Sequence, residues 1–223
     1  SDISFGTNIT AIGDSVLFSN TTGSNNTALG KDAMWTNVGG TNNVAIGYTA
    51  FYTNAGGNGN TIIGSTADAT SNGLINATAL GFNTMVDSSN KVRIGNTSVI
   101  SIGGQVGWTN FSDERVKTHV EENIPGLAFI NQLKPVTYHY NLQKENELLG
   151  IKNDNGDWEG KHDIEKITFS GFLAQQVDAA AQKIGYNFSG VDKHGNIWGL
   201  RYAEFVPSLV KSVKELDQHN TQT

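Results

Sequence analysis

Apolar residues near the start of the chain occur in short pieces, and each piece is closed by a glycine. These blocks end at Gly13, Gly30, Gly47, Gly64, Gly81 and Gly95, and the first five glycines are 17 residues apart. A typical piece, Val44-Ala45-Ile46, is too short for a helix and suits a brief strand bounded by Gly and Asn turns. The pattern predicts a 17-residue β repeat over residues 1–96.

Other positions follow the same register. Apolar residues recur four positions after the glycine at Leu17, Met34 and Phe51, and asparagines recur three positions later at Asn20, Asn37 and Asn54. A single unit that buries two or three side chains does not offset an ordering entropy of roughly 1 to 2 kcal/mol per residue, so neighbouring units must stack into one core. Because such a stack is thin, we predict a homotrimer in which three chains associate around a common axis.

The repeated asparagines have a structural explanation and a functional one. Asparagine tolerates the left-handed conformation, and its amide can hydrogen-bond local backbone or form ladders along a stack. Binding of glycans or calcium is the alternative. The acidic nonapeptide pattern of calcium-binding β-rolls is absent from the sequence, which disfavours calcium. We therefore predict that the asparagines form ladders.

The pattern changes after Gly95. An alternating stretch predicts one or two strands in a junction, residues 97–111, and a compact α+β unit follows in residues 112–223. The first predicted elements of that unit are a short helix at 126–133, a strand at 136–140 and a charged inserted hairpin or loop at 141–165. Residues 172–181 are predicted to form the start of a second helix, and residues 195–200 a turn with a strand.

The end of the chain carries a helical pattern. Val206, Leu209, Val213 and Leu216 recur at alternating spacings of three and four, which is the spacing of a coiled-coil seam. A single helix that faces its own core gives the same pattern over so short a span. We favour a trimeric seam, because the adjacent repeats are also predicted to need three chains.

Charge supports the division of the chain and narrows its function. Residues 1–111 hold 8 of the 36 charged side chains and 17 of the 26 glycines. The net charge of −6 gives no basic surface for nucleic acid, and no apolar run is long enough to insert into a membrane. The N-terminus begins inside a repeat, so we interpret the sequence as a fragment.

The segment that begins at Ser112 holds the candidate chemistry. On the residues alone, we would expect Ser112 to be a helix N-cap, Asp113 and Glu114 to be first-turn acids, and Arg115 and Lys117 to lie on a solvated face. A serine and a lysine five positions apart occur by chance in many chains. The spacing by itself therefore does not predict catalysis.

Residues 8–95 resemble the head repeats of trimeric autotransporter adhesins and related phage fibres, in which Asn-x-x-Ala-Ile-Gly blocks build a parallel β-roll from three packed chains. The period of 17 is longer than the usual period of that family. The resemblance implies an N-terminal all-β stalk of trimeric β-roll or β-helix type.

Residues from 112 to about 217 resemble the intramolecular chaperone domain at the C-terminus of phage tailspikes and endosialidases. The resemblance is carried by the signature Ser112, Asp113, Arg115, Lys117 and by three further blocks at 126–138, 171–177 and 200–207. It implies a domain that helps three chains to fold and then cuts itself off through a Ser-Lys dyad. Ser112 would be the nucleophile and Lys117 the general base, and the cut would fall on one side of Ser112 or the other.

Three neighbouring residues are candidates for supporting this dyad. A lysine with a reference pKa near 10.4 must be desolvated or placed beside another cation to act as a base at neutral pH. Arg115 would supply such a charge, or would form an ordinary salt bridge. Asp113 belongs to the same signature, and His119 is a candidate for orienting the dyad. We expect no metal and no cofactor.

These observations predict the distal part of a homotrimeric surface or phage-tail fibre. Its location would be extracellular, at a cell surface or a virion tail, and its outside partner would be a cell-surface glycan or receptor. The C-terminal domain would act once, as a serine auto-endopeptidase. The alternative is a non-catalytic structural adhesin or receptor-binding fibre that retains its trimerisation domain.

Overall fold

The computed structural model of the chain describes residues 6–151 and 156–221. Two compact units divide these residues. The first combines the repeats up to residue 102 with residues 139–167 and 195–197. The second contains residues 103–138, 168–194 and the chain from Trp198 onward.

The repeats form a parallel β-solenoid. Its main sheet has one three-residue strand per turn: β1 (Thr10–Ile12), β2 (Thr27–Leu29), β3 (Val44–Ile46), β4 (Thr61–Ile63), β6 (Thr78–Leu80) and β8 (Val92–Ile94), and a second sheet pairs β5 (Asp68–Ala69) with β7 (Met85–Val86). Ala11, Ala28 and Ala45 are direct neighbours across the ladder, so the strands stack in register. The predicted β repeat and solenoid are confirmed.

The core of the solenoid lies inside one chain. The middle residues of successive strands, Ala28, Ala45 and Ile62, are fully buried, and so are the apolar residues that follow the glycines at Met34 and Phe51. Small side chains predominate because each turn closes tightly on the next. Stacking therefore provides the contacts that a single turn lacks.

The predicted asparagine ladders form in part. Inside the solenoid, Asn37 Nδ2 donates to Asn20 Oδ1 at 2.9 Å, and Asn60 Nδ2 donates to Asn43 Oδ1 at 3.1 Å. A second ladder runs along the surface, where Asn25 Nδ2 donates to Asn42 Oδ1 at 3.2 Å. The backbone of Asn25 is left-handed, with a φ of 57°.

The buried column Asn26, Asn43 and Asn60 connects three consecutive turns. Asn37 Oδ1 and Asn54 Nδ2 have no hydrogen-bond partner among the described residues, so the column Asn20, Asn37 and Asn54 is bonded only at its first step.

The rest of the described chain is helical and β-structured. Its elements are α1 (Leu127–Ile130), β9 (Val136–Tyr138), α2 (Leu142–Leu149), β10 (Phe169–Gly171), α3 (Ala174–Lys183), β11 (Val191–Asp192), β12 (Gly199–Leu200) and α4 (Phe205–Thr221). Strands β9 and β10 pair antiparallel, as do β11 and β12. The predicted α+β architecture with a final helix is confirmed.

Aromatic side chains form the core of the second unit. Phe129 of α1 is fully buried against Phe188 and Phe205, with ring centroids 4.9 and 6.3 Å away. Glu215 of α4 accepts a hydrogen bond from the Leu127 N–H at 2.8 Å. This carboxylate satisfies a backbone donor at the start of α1 that has no partner within the helix, and it connects α1 to α4.

The prediction of strands in the junction is wrong. No strand occurs between residues 97 and 113, all of which are described. Val106, Trp108 and Phe111 are 84%, 85% and 100% exposed. A strand needs a neighbour that receives its backbone hydrogen bonds, and the single chain provides none for this segment.

The prediction of a hairpin or loop at 141–165 is also wrong, because most of the described segment is helical. Asn141 caps α2 by accepting a hydrogen bond from the Lys144 N–H at 2.8 Å, and Gly150 ends the helix at a φ of 70°. A 3-10 helix follows at Asp163–Lys166. Within the first unit the insert packs on the solenoid, where Trp158 meets Phe82 edge-on at 5.6 Å. The predicted turn at Asp154 and Asn155 lies outside the described residues.

Candidate functional site

Ser112 and Lys117 lie in direct contact. Lys117 Nζ donates to Ser112 Oγ at 2.7 Å. A 3-10 helix, Glu114–Val116, separates the two residues and turns the chain so that Lys117 returns to Ser112. If the Lys117 amine were neutral, it could accept the proton of the Ser112 hydroxyl. A serine nucleophile needs this proton transfer to a general base.

Asp113 starts this turn. Its Oδ1 accepts a hydrogen bond from the Arg115 N–H at 2.9 Å, so the carboxylate is the N-cap of the 3-10 helix. The cap keeps the turn short and thereby brings Ser112 and Lys117 together. Asp113 is therefore a positioning residue in this geometry.

Arg115 is paired with Asp113. Its Nη2 lies 2.6 Å from Asp113 Oδ2, and its Nε lies 3.0 Å from Oδ1. This hydrogen-bonded ion pair lowers the pKa of Asp113 and raises that of Arg115. Both groups are exposed to water, where such pairs contribute little to stability. The guanidinium charge is thus compensated by Asp113.

His119 lies beyond the dyad and adopts a left-handed backbone conformation with a φ of 54°. Its side chain is exposed, and within the described residues no hydrogen bond joins it to Ser112 or Lys117. The structure therefore forms two adjacent pairs, Ser112 with Lys117 and Asp113 with Arg115, and within the described residues no hydrogen bond joins His119 to either pair.

The dyad is open to water. Every residue from 103 to 123 is exposed, including the large apolar side chains Trp108, Phe111, Val116 and Val120 in and around the dyad segment. The sequence predicts strands from the alternation at 106–111 and assigns no functional role to Trp108 or Phe111.

The described part of the chain contains neither a membrane-spanning helix nor a metal-binding cluster. None of its helices is both long enough and apolar enough to cross a bilayer. No group of three or more His, Asp or Glu side chains in residues 6–151 and 156–221 is arranged to hold a metal ion.

Comparison with known families identifies part of the second half of the chain. Residues 112–186 match a family model described as chaperone of endosialidase. The match begins at the serine of the dyad and ends after α3. The predicted resemblance is confirmed for this segment, and the solenoid before it agrees with the predicted fibre architecture. No curated protein and no solved structure matches the chain.

Proposed function

We propose that this chain, which carries an endosialidase-type chaperone segment, is the distal part of a homotrimeric extracellular fibre that cuts itself at Ser112. The chaperone segment would promote trimer folding and then be cut from the fibre. One observation carries the proposal: the 2.7 Å contact between Lys117 Nζ and Ser112 Oγ lies at the first residue of the family match.

Helix α4 supports the trimer. Its seam residues Val206, Leu209, Val213 and Leu216 are 48–66% exposed, whereas Phe205, Ser208 and Ser212 face their own unit and are buried. The apolar seam is thus turned away from the core of the single chain. Its spacing fits packing against the same helix of other copies.

The solenoid has a similar exposed row. The last residues of several strands are apolar and exposed, among them Ile12, Leu29 and Leu80. Because the strands stack in register, these side chains form one line along the main sheet. A second and a third chain would cover this line.

Assembly would also activate the dyad. Burial of Trp108, Phe111 and the other apolar residues near Ser112 between chains would remove water from Lys117 and favour its neutral form. The dyad would then be inactive in a monomer and active in a trimer. A product that has lost its folding aid would be kinetically trapped.

The reaction with the most direct geometry is an acyl shift. Neutral Lys117 accepts the Ser112 Oγ proton while this oxygen attacks the carbonyl carbon of Phe111. The peptide bond between Phe111 and Ser112 breaks, and the Ser112 nitrogen leaves as an amine with the proton from Lys117. Water then hydrolyses the ester, which gives the carboxyl group of Phe111 and restores the serine hydroxyl.

A denaturing gel tests the proposal. Purified wild type should give two bands of nearly equal size, and Ser112→Ala or Lys117→Ala should leave one full-length band. Ser101→Ala and Lys134→Ala, which change exposed residues outside the dyad, should be cut like wild type. A trimeric wild type that stays intact would favour the alternative of a structural fibre with a retained domain.

A further inference from the structure

The repeat breaks at Asp68, in the interior of the solenoid. Residues at this position of earlier turns, Leu17, Met34 and Phe51, are buried, apolar and left-handed. Asp68 is only 7% exposed, yet it is a carboxylate and lies in strand β5. A buried carboxylate in an apolar column is unfavourable unless it is paired, and such violations of a local rule concentrate at functional sites.

Backbone donors hold the Asp68 carboxylate in place. Its Oδ2 accepts from the Thr53 N–H at 3.1 Å, and its Oδ1 accepts from the Ala69 N–H at 2.8 Å. No ion pair to Asp68 is found within the described residues. A carboxylate has about four lone-pair sites, so these bonds leave acceptor capacity on Asp68.

An aromatic ladder ends beside Asp68. Phe18, Trp35 and Tyr52 stack along the surface, with ring centroids 4.4 and 6.2 Å apart. The next position in the register is Ala69, which is small and buried. The ring of Tyr52 therefore has no aromatic neighbour on the following turn, and space opens above it.

This space is an open cleft within the first unit, of about 730 Å³. Tyr48, Tyr52, Thr53, Asp68 and Asn83 are among its lining residues, and the end of α2 contributes Gly150 and Ile151. Among the described lining residues, Asp32 is the second carboxylate, and none is Lys, Arg or His. The volume falls within the range of about 300 to 1,000 Å³ that is usual for ligand sites.

We propose that this cleft binds neutral sugar residues of a cell-surface glycan. The faces of Tyr48 and Tyr52 would pack on the C–H faces of sugar rings, while Asp68, Thr53 and Asn83 would bond their hydroxyls. Asp32, together with Asp68 in its ionised form and no cation among the described lining residues, would repel sialylated or phosphorylated sugars. The inference rests on the proposed fibre function, because it names what the fibre holds.

An array of matched neutral and sialylated oligosaccharides tests the cleft. The full-length chain should bind neutral members and reject their sialylated counterparts. The best neutral member is then titrated by calorimetry against variants. Tyr52→Ala should weaken binding by a factor of about 10 or more, and Asp68→Asn by about 10, because each removes a contact to the sugar without emptying the cleft.

Phe18→Ala is the matched control, since it removes an aromatic residue of the same ladder two turns away from the cleft. Its affinity should equal that of wild type. Failure of all neutral oligosaccharides to bind, preference for the sialylated members, or equal losses for Phe18→Ala and Tyr52→Ala would overturn the proposal.

The array is run with both wild type and Ser112→Ala, which separates this inference from self-cutting. If wild type binds neutral sugars but is never cut, the result would support the cleft and contradict the cleavage. A chain that is cut normally but binds no neutral sugar would contradict the cleft alone.

Discussion

The solenoid and the segment 103–123 treat their apolar side chains in opposite ways. In the solenoid, residues such as Ala45 and Ile62 are buried by the turns before and after them in the same chain. In residues 103–123, every side chain is exposed, including Trp108 and Phe111. In the solenoid, the packing partners of each apolar side chain lie one repeat away in the same chain. Residues 103–123 have no such partners among the described residues.

This difference separates what one chain can stabilise from what requires other copies. Stacked turns gain their burial through contacts between neighbours in sequence. The segment 103–123 and the seam of α4 would gain burial only in an assembly, where apolar area contributes about 25 cal/mol per Å² removed from water. The proposed active dyad lies in this second, incomplete region, which would make its activity depend on assembly.

The largest effect is expected from charging the seam of α4. The double variant Leu209→Asp with Val213→Asp should be monomeric, because both side chains are exposed in the single chain and face the proposed partners. It should also remain uncut. Light scattering coupled to size-exclusion chromatography gives the mass, and a denaturing gel gives the cleavage.

Lys211→Asp is the control for this variant, since it charges an exposed position of the same helix off the seam. It should remain trimeric and be cut. A verified monomer that is cut at the wild-type rate would contradict the proposed coupling of assembly to activity.

The second effect concerns Asp68, a buried acid of the solenoid that has no ion-pair partner among the described residues. Burial raises the pKa of Asp68 from 3.8 to about 7. The folded state therefore holds a proton that the unfolded chain has lost, and stability should fall as the pH rises from about 4 to about 7. Asp68→Asn should remove this dependence and stabilise the protein at pH 8, by up to about 4 kcal/mol for a shift of this size.

Chemical denaturation at pH 4 and pH 8 measures this prediction. The variant and wild type should differ little at pH 4 and most at pH 8. Asp14→Asn, a change at an exposed acid of the first turn, should alter neither value. An equal change at both pH values would show that Asp68 does not titrate between folded and unfolded states.

The third effect is the loss of one amide from the buried ladder. Asn43 accepts from the Asn60 N–H at 2.9 Å and donates to the Gly57 carbonyl at 2.7 Å. Asn43→Ala should cost about 3 kcal/mol, because buried partners on both neighbouring turns lose their bonds. Asn42→Ala, on the exposed ladder, should cost much less. Similar losses for both variants would contradict the structural role of burial.

The fold was predictable where one physical constraint repeats. Each turn must match the next, so the glycine, asparagine and apolar registers all report the same period. The break at Asp68 was readable too, since it follows Leu17, Met34 and Phe51 at the same spacing. The apolar register described above ends at Phe51, so it does not by itself predict a buried carboxylate at position 68.

The sequence was less informative where structure depends on partners or caps. The alternation in residues 106–111 indicates that one face is apolar, but it does not say what covers that face. Helix α2 is rich in charge and lacks a clear apolar stripe. Its caps, Asn141 and Gly150, were the available signals. For the candidate site, the sequence provides the pair Ser112 and Lys117 and their spacing. Only the structure shows that Asp113 caps the 3-10 helix between these two residues.

The smallest effect is expected in the second unit, where one side chain connects two helices. In the solenoid, stacking of turns provides the connection between elements. Glu215 accepts the Leu127 N–H and connects α4 to α1. Glu215→Gln keeps an acceptor but removes its charge, so it should cost about 1 kcal/mol. Hydrogen exchange at the Leu127 amide should accelerate about fivefold, since 1.4 kcal/mol corresponds to a factor of ten. Asp217→Asn on the same helix should leave this amide unchanged, and an unchanged rate in Glu215→Gln would show that α1 is held by Phe129 packing alone.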